Sequence, residues 1–491
     1  MKYISTRDGG PVYKEFTFLE AVLAGLSPDG GLLVPETIPS VSALELEEWG
    51  TLTYQQLCFR ILRKFMSEEE VSDDELLSMI GAAYNASNFE GGQIAPVVRV
   101  GDLYVMELFH GPTFAFKDVA LQLLGHLFDL ALRKRNARMT ILGATSGDTG
   151  SAAIAGVKGR SNIDCVILYP LGRTSRVQEL QMISNLDENI HCLAVKDAVF
   201  DDCQNIVKSC FTDADFNAEM SLGAVNSINW ARILAQVVYY VHAALLVSKD
   251  EGKKAVSFVV PTGNFGNVLA GYYAKKMGAP IAKLIVASNT NDILPRFFEH
   301  GEYRITGPVV PTMSPSMDIA VSSNFERYIY DLLERDGNKT RDKFDQLRGL
   351  DKKFTVEKAE LEIARSHFTA FCVNENETLT TIADCFMKHG YLLCPHSAVG
   401  FAAGLRYSAS SLEHEAVVTL ATAHIGKFTE NIVMSSSLNG VDRALVDAVE
   451  MAVPEKLRTL LSEAKTRRIE IPNRVEAVKE YLRTRVGGIR A

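Results

Sequence analysis

The feature that most constrains the fold of this chain is a regular alternation of short apolar segments with helical segments, which starts near Val97. Apolar strands are predicted at residues 104–108, 139–144, 165–169, 192–195, 256–260, 284–287 and 417–421. Helical segments are predicted among them at residues 119–133, 151–157, 229–247 and 267–277. Strands that alternate with helices form a mostly parallel sheet with helices on both faces. The sequence therefore predicts an α/β fold.

The regions that flank this alternation predict a division of the chain into sections. Residues 1–95 predict a mainly helical N-terminal domain, because Thr17 and Glu20 have capping-box spacing and apolar residues then keep a helical period. Residues 96–435 form the α/β region, in which the more charged stretch 325–390 predicts a helical insertion. Residues 436–491 predict a C-terminal helical section.

Charge and cysteine usage narrow the partners and the compartment. The net charge of −9 gives no reason to expect nucleic acid or an anionic membrane as a partner. No run approaches the roughly 18 apolar residues of a membrane span, and the start of the chain lacks the apolar core of a signal peptide. The eight cysteines are scattered without a CxxC pair, which is typical of a reduced protein. We therefore expect a cytoplasmic protein.

One lysine is a candidate nucleophile. Lys117 lies in the apolar and aromatic stretch 108–118, at the start of a predicted helix. A lysine shifts its pKa readily when its surroundings desolvate it, and a desolvated amine forms Schiff bases with aldehydes. When Lys117 is considered without the other motifs, the favoured interpretation is a lysine at a helix start whose side chain extends into solvent. Two glycine-rich turns further along the chain favour the catalytic interpretation.

The first glycine-rich turn, residues 143–151, joins a strand to a helix and carries the hydroxyls of Thr145, Ser146 and Thr149. Backbone N–H groups at a helix N-terminus form an anion site. A substrate carboxylate or phosphate would therefore fit this turn. The turn could instead be a tight connection capped by a hydroxyl.

The second turn, residues 261–267, also joins a strand to a helix, and Gly263 and Gly266 allow an anion to approach the backbone closely. It has no Walker lysine and does not match GxGxxG, so a nucleotide is a poor fit. The phosphate of a small cofactor fits better. A purely structural turn remains an equal alternative when this turn is considered alone.

Two further stretches carry polar groups at positions typical of binding sites. Thr422 ends a predicted strand, where a hydroxyl can meet a ring nitrogen, although a threonine bonded to backbone is the simpler interpretation. Asn226, Ser227 and Arg232 lead into a helix and suit an oxyanion, which an arginine can bind through two hydrogen bonds. Helix capping with Arg232 on a solvated face is the alternative.

Taken together, these motifs resemble those of the threonine synthase family, whose members depend on pyridoxal phosphate and have the tryptophan-synthase-β fold type. The resemblance is carried by residues 110–113, 115–118, 144–150, 226–232, 263–267 and 420–424. Residues 5–7 and 28–32 resemble the N-terminal domain of the longer, fungal-like branch. The resemblance implies two doubly wound, mostly parallel-sheet lobes and pyridoxal 5'-phosphate as cofactor.

The resemblance also implies a role for each matching residue. Residues that would contact the cofactor are Lys117, which would form the Schiff base, Gly263, Asn264, Phe265, Gly266 and Asn267 at its phosphate, Thr422 at its ring nitrogen, and Asp148. Residues that would bind the substrate are Thr145, Ser146 and Thr149 at its carboxylate, and Asn226, Ser227 and Arg232 at its phosphate. No metal site is expected.

Two positions depart from the family pattern. Related enzymes often have asparagine where Asp148 stands, facing the 3'-oxygen of the cofactor, so here an acid does this or another residue does. After the threonine, family members commonly read His-Pro-Ala-Lys-Phe, whereas residues 424–428 read His-Ile-Gly-Lys-Phe.

The reaction that the resemblance implies converts O-phospho-L-homoserine and water to L-threonine and phosphate. The protein is expected to be a monomer or a homodimer. A phospholyase or dehydratase of the same fold, which would give a 2-oxo acid, is one alternative. A non-catalytic binding protein on the same scaffold is the other.

Overall fold

Two separate β-sheets organise the chain in the computed structural model, which describes residues 1–9, 14–252, 255–410, 415–430, 432 and 443–487. The strands are β1 (Tyr3–Ser5), β2 (Leu33–Pro35), β3 (Val97–Val100), β4 (Leu103–Glu107), β5 (Met139–Ala144), β6 (Ile163–Pro170), β7 (Ile190–Val195), β8 (Leu222–Gly223), β9 (Val256–Pro261), β10 (Ile281–Ser288), β11 (Glu302–Arg304), β12 (Lys353–Thr355), β13 (Phe368–Cys372), β14 (Ala416–Ala421) and β15 (Ile469–Ile471).

The described helices fill the connections between these strands. They are α1 (Phe18–Ala24), α2 (Ala43–Trp49), α3 (Tyr54–Arg63), α4 (Asp73–Ala83), α5 (Lys117–Lys134), α6 (Asp148–Val157), α7 (Arg176–Ile183), α8 (Phe200–Thr212), α9 (Ala214–Met220), α10 (Trp230–Asp250), α11 (Gly266–Met277), α12 (Ile293–His300), α13 (Phe325–Leu332), α14 (Gly337–Arg348), α15 (Lys358–His367), α16 (Glu375–His389), α17 (Pro395–Ser410), α18 (Arg443–Met451), α19 (Glu455–Glu463) and α20 (Val475–Tyr481).

The larger sheet has six strands in the order β13-β10-β9-β14-β4-β3. All of its pairs are parallel except β3 with β4, which form an antiparallel edge. The smaller sheet has five strands in the order β15-β7-β6-β5-β8, and all of its pairs are parallel. The predicted α/β architecture with two mostly parallel lobes is confirmed.

Two sections predicted as helical also contribute strands to these sheets. Within the predicted helical insertion 325–390, β13 pairs with β10 at the edge of the larger sheet. Within the predicted C-terminal helical section, β15 pairs with β7 at the edge of the smaller sheet. Both lie on the edge of a sheet with only one neighbouring strand: β13 has a single fully buried residue, Phe368, and β15 has only three residues. The prediction of helix alone for these sections is therefore corrected.

The helices of the N-terminal section pack against the α/β region, where α1 and α4 contact α5 and α3 contacts α10. The capping box predicted at Thr17 is present, and α2, α3 and α4 start with the same arrangement at Ser42, Thr53 and Ser72. Among the described helices, α10 alone is long and apolar enough to cross a membrane, but most of it is buried inside the protein, as is typical of a core helix.

Candidate active site

A cavity lies where strands of both sheets end. Its lining includes residues that follow β5, β9 and β14, which agrees with the rule that sites in parallel sheets form beyond the carboxyl ends of strands. The lining residues are Phe116, Lys117, Thr149, Ser227, Arg232, Gln236, Pro261, Thr262, Gly263, Asn264, Phe265, Gly266, Asn267, Ser316, Met317, His396 and Thr422. No carboxylate is among these described lining residues, so the cavity suits an anion.

Lys117 is the first residue of α5 and is buried, with 8% of its surface exposed. Its Nζ lies 3.5 Å from Asp148 Oδ2 and 3.3 Å from Ser316 Oγ. Burial lowers the pKa of Lys117; Asp148 opposes this effect, whereas Lys427 and Arg232 add to it. A larger share of this amine is therefore neutral and nucleophilic at neutral pH than of an ordinary lysine.

Asp148 is surrounded by donors of the protein itself. Its Oδ1 accepts from Lys427 Nζ at 2.7 Å and from Gln178 Nε2 at 2.9 Å, whereas its Oδ2 faces Lys117 and Ser316. Burial alone would raise the pKa of Asp148, but the two ammonium groups hold that pKa well below its usual range. The carboxylate therefore stays ionised and serves as a fixed negative charge behind Lys117.

The loop that precedes α11 forms an anion cradle. The backbone N–H groups of residues 263–267 have no hydrogen-bond acceptor in the described part of the chain. Phe265 has φ +62°, which is uncommon for a residue with a side chain and typical of functional sites. A Cβ on Gly263 would stand 2.8 Å from the backbone oxygen of Ser316, so only glycine fits there.

Asn267 adds a side-chain donor to this cradle. Its Oδ1 accepts from the hydroxyls of Tyr239 and Tyr240 at 2.7 and 2.8 Å, which fixes the orientation of the amide. Its Nδ2 is buried without a partner among the described residues. The structure therefore brings together all five residues predicted at the cofactor phosphate, because residues 263–267 all line the cavity.

Arg232 lies on another wall of the cavity, in the first turn of α10, with 4% of its surface exposed. Burial lowers its pKa to about 10, which leaves the guanidinium charged at neutral pH. Within the described residues its Nε and Nη1 have no hydrogen-bond partner. A buried arginine is costly unless an anion meets it, so this side chain fits a phosphate.

The turn between β5 and α6 holds the three predicted hydroxyls in different settings. Thr145 is buried, and its Oγ1 accepts from the backbone N–H groups of Gly147 and Gly150 at 2.9 Å each. Thr149 lines the cavity, whereas Ser146 is exposed. Only Thr149 of the three therefore lies on the cavity wall.

The remaining predicted positions also differ in their settings. Thr422 and Ser227 line the cavity, and the backbone oxygen of Thr422 accepts from Phe116 N at 2.8 Å, next to Lys117. Asn226 is not among the described lining residues, and its Oδ1 accepts from Ile228 N at 3.3 Å inside the turn before α10. Asn226 therefore shapes the wall that Ser227 presents.

Several residues of the site were not predicted to belong to it, and three of them are charged or polar groups near Lys117 and Asp148. Ser316 and His396 line the cavity, and Lys427 forms the buried ion pair with Asp148. Neither Ser316 nor His396 lies in a motif with a recognisable spacing. Lys427 does carry a signal, because it follows the end of β14 by a few residues in a stretch that is otherwise poor in charge.

Three family models match this chain. The model described as "Threonine synthase N terminus" matches residues 2–84, and "Pyridoxal-phosphate dependent enzyme" matches residues 93–343. The model described as "Threonine synthase, C-terminal" matches residues 397–482. Together they extend over all three sections of the chain.

Individual relatives agree with these models over nearly the full length. The chain is 42% identical to the threonine synthase of Saccharomyces cerevisiae, with 98% of this chain and 97% of that protein covered. The crystal structure of threonine synthase from yeast has a TM-score of 0.92 at 41% identity, with 99% of each chain covered. The crystal structure of PLP-bound threonine synthase from Brucella melitensis has a TM-score of 0.88 at 42% identity, again with 99% of each covered.

Proposed function

The chain belongs to the threonine synthase family, and we propose that it converts O-phospho-L-homoserine and water to L-threonine and phosphate with pyridoxal 5'-phosphate as its cofactor. The observation that carries this proposal is the composition of one cavity. A buried lysine with a lowered pKa shares this cavity with two separate sets of unpartnered donors, at Arg232 and at residues 263–267. A phosphorylated aldehyde and a phosphorylated substrate each need such a set.

The residues present fit the cofactor. Lys117 would supply the amine for its aldehyde carbon, and the free N–H groups of residues 263–267, with Asn267 Nδ2, would hold its phosphate. Thr422 would meet its ring nitrogen, which agrees with the position of this residue on the cavity wall beside Phe116. Asp148 would act on the cofactor through Lys117, since its oxygens already face four donors of the protein.

The residues proposed for the substrate lie on two other segments that reach the cavity, the start of α10 with the turn before it and the turn between β5 and α6. We assign the substrate phosphate to Arg232 and Ser227, with Asn226 supporting the turn that carries the serine. We assign the substrate carboxylate to the turn between β5 and α6, with Thr149 on the wall and Ser146 at the exposed edge. Thr145 fixes that turn through its oxygen and keeps its O–H for donation.

When bound, the cofactor supplies an electron sink that stabilises negative charge at the substrate Cα. Lys117 Nζ takes the Cα proton, which its lowered pKa permits near neutral pH. The same nitrogen then takes a Cβ proton, and the bond between Cγ and the phosphate oxygen breaks as phosphate leaves. Arg232 stabilises the charge that grows on the departing phosphate, and its burial strengthens that interaction. A proton is returned to Cγ, which becomes the methyl group, the hydroxyl of water adds at Cβ while its proton passes to the released phosphate, and return of a proton to Cα completes threonine.

The test is a product analysis on purified protein with added cofactor and O-phosphohomoserine. We expect phosphate and threonine in equal amounts. Phosphate accompanied by 2-oxobutyrate instead of threonine would assign the protein to the phospholyases. Lys117→Ala should abolish both products and the visible absorbance of the bound cofactor, whereas Lys134→Ala, at the far end of the same helix, should leave both unchanged. A Lys117→Ala protein that kept its absorbance and turnover would disprove the assignment.

We also propose a cytoplasmic location. We further propose that the chain is divided into three sections, residues 1–95, 96–435 and 436–491. The location is supported by the cysteines, because all eight are free thiols and seven of them are buried. A monomer or a homodimer is compatible with a site whose proposed residues all come from one chain. Sedimentation of the purified protein would decide between these two states.

A further inference from the structure

The segment between β11 and α13 carries a short 3-10 turn, Pro315–Met317, that reaches into the active site. Ser316 Oγ lies 3.3 Å from Lys117 Nζ and 3.3 Å from Asp148 Oδ2. The turn also packs against the anion cradle at residues 263–267, since the backbone oxygen of Ser316 would be 2.8 Å from a Cβ on Gly263.

The direction of the hydrogen bonds around Ser316 follows from the charge of its neighbour. An ionised carboxylate can only accept, and the ammonium of Lys427, 2.7 Å from Asp148, keeps this carboxylate ionised even when Lys117 is neutral. The hydroxyl of Ser316 therefore donates to Asp148, and its oxygen is left to accept an N–H of Lys117. A neutral amine has two hydrogens and one lone pair. If Asp148 and Ser316 take one hydrogen each, the lone pair of Lys117 points away from both.

His396 holds this serine in place. The backbone N–H of Ser316 donates to His396 Nε2 at 3.1 Å. A backbone amide is only a donor, so Nε2 carries no proton and the neutral ring has its proton on Nδ1. Burial lowers the pKa of His396 to about 4; Lys117 and Lys427 repel its charged form and Asp148 favours it. The ring, 4% exposed and packed on Phe428, therefore stays a neutral acceptor near pH 7.

Other contacts keep the turn from moving. Asp318 Oδ2 accepts from Thr312 N at 2.8 Å, and Asn289 Nδ2 donates to Ser314 Oγ at 2.9 Å. Glu375 Oε2 accepts from Met313 N at 2.9 Å. Thr312, Met313 and Ser314 precede the turn and Asp318 follows it, so these contacts flank the turn on both sides. They give Ser316 a defined position within its own lobe.

We propose that Ser316, held by His396, is a positioning residue for Lys117: its oxygen accepts one N–H of the amine and thereby directs the nitrogen lone pair at the substrate Cα proton. This inference rests on the proposed function, because it assigns proton removal to Lys117. The bond that forms is between Lys117 Nζ and hydrogen, the bond that breaks is between Cα and hydrogen, and the electron pair passes to the bound cofactor. Ser316 exchanges no proton in this step.

The experiment compares Ser316→Ala, Ser316→Thr and the control Ser209→Ala in the holoenzyme, with substrate that carries hydrogen or deuterium at Cα. Misplacement of a reacting group by about 1 Å costs roughly 100-fold in rate. We expect kcat to fall about 10- to 100-fold in Ser316→Ala, with KM and cofactor affinity unchanged. The deuterium isotope effect on kcat should rise, because proton removal becomes slower than the other steps. Ser316→Thr should recover most of kcat, and Ser209→Ala, an equivalent change on α8 away from the cavity, should resemble the parent.

The outcomes separate a positioning role from a structural one. A structural role would lower cofactor content and activity in proportion and leave the isotope effect unchanged, which would overturn the proposal. Unchanged kcat in Ser316→Ala would also overturn it. His396→Gln offers Ser316 N another acceptor and should keep most activity, whereas His396→Phe should behave like Ser316→Ala. If the parent enzyme makes a 2-oxo acid, the proposed function fails, but the isotope comparison still tests Ser316, since that reaction also begins at the Cα proton.

Discussion

Replacing Arg232 with methionine should stabilise the cofactor-free protein while it disables the enzyme. The guanidinium is 4% exposed, and its Nε and Nη1 find no acceptor in the described part of the chain. Methionine has a similar length and packs well in irregular apolar surroundings. The substitution therefore removes a buried, unpaired charge without leaving a large void.

The magnitudes follow from these two donors. A buried polar group without a partner costs about 1–3 kcal/mol. Water that enters the cavity relieves part of this cost, so we expect a gain of about 1–2 kcal/mol in the free energy of unfolding of the cofactor-free protein. In the enzyme, two charge-assisted hydrogen bonds to phosphate contribute about 1.5–3 kcal/mol each. Their loss should lower kcat/KM for O-phosphohomoserine by about 10²- to 10⁴-fold.

Arg327 provides the matched control. It is also fully buried, and burial also lowers its pKa to about 10. Each of its three nitrogens donates, however: they bond to the backbone oxygens of Leu33 and Ile228 and to Asn324 Oδ1. Arg327→Met would leave these acceptors without their donor, so we expect it to destabilise the cofactor-free protein by about 3 kcal/mol or more.

The assay is thermal unfolding of both cofactor-free variants, together with steady-state kinetics and cofactor titration of the Arg232 variant. The cofactor dissociation constant should stay close to that of the parent, because residues 263–267 hold its phosphate. An Arg232→Met protein that unfolds at a lower temperature and keeps its KM would refute the reasoning. Loss of cofactor affinity with normal substrate binding would transfer Arg232 to the cofactor phosphate.

Two further substitutions test the electrostatics and the phosphate cradle. Lys427→Met removes the ammonium 2.7 Å from Asp148, which leaves that carboxylate to Lys117 and raises the pKa of Lys117. The pH dependence of the rate at which pyridoxal phosphate loads onto the cofactor-free protein should therefore shift to higher pH, and an unshifted profile would contradict this. Gly263→Ala places a methyl group 2.8 Å from backbone and should weaken cofactor binding at least about tenfold, whereas Gly81→Ala, with nothing within 4 Å in α4, should bind it normally and be up to about 1 kcal/mol more stable.

Much of the scaffold could be predicted because its signals are local. The strand 139–144 was predicted at both of its ends, and the helix at residues 229–247 differs from α10 by a few residues. Central strands of parallel sheets are apolar on both faces, and the turns that follow them carry glycine and hydroxyl residues. The edge strands β13 and β15 are only partly buried or very short and lie among helices, so the helices of their regions were predicted but these two strands were missed.

The motifs of the site could be predicted for the same reason, but the contacts between residues far apart in the sequence could not. Ser316 is 168 positions from Asp148, and its contact with that residue depends on how one lobe packs against the other. Lys427 stood in the sequence as part of a departure from a family pattern, and only the fold shows that its ammonium neutralises Asp148. Long-range pairs of this kind leave no periodicity in one sequence.

The two residues that contact the Lys117 amine, Asp148 and Ser316, lie on different lobes. Asp148 begins α6, which packs against the helix that Lys117 begins, so their separation is set within one lobe. Ser316 belongs to the wall of the other lobe, next to the loop that follows β9. A displacement between the lobes would therefore change the Ser316 contact and spare the Asp148 contact. If closure of the lobes on the substrate completes the contact between Ser316 and Lys117, Ser316→Ala should slow turnover but not the loading of cofactor onto the open protein. Equal slowing of turnover and of loading would mean that the Ser316 contact, like the Asp148 contact, does not depend on closure.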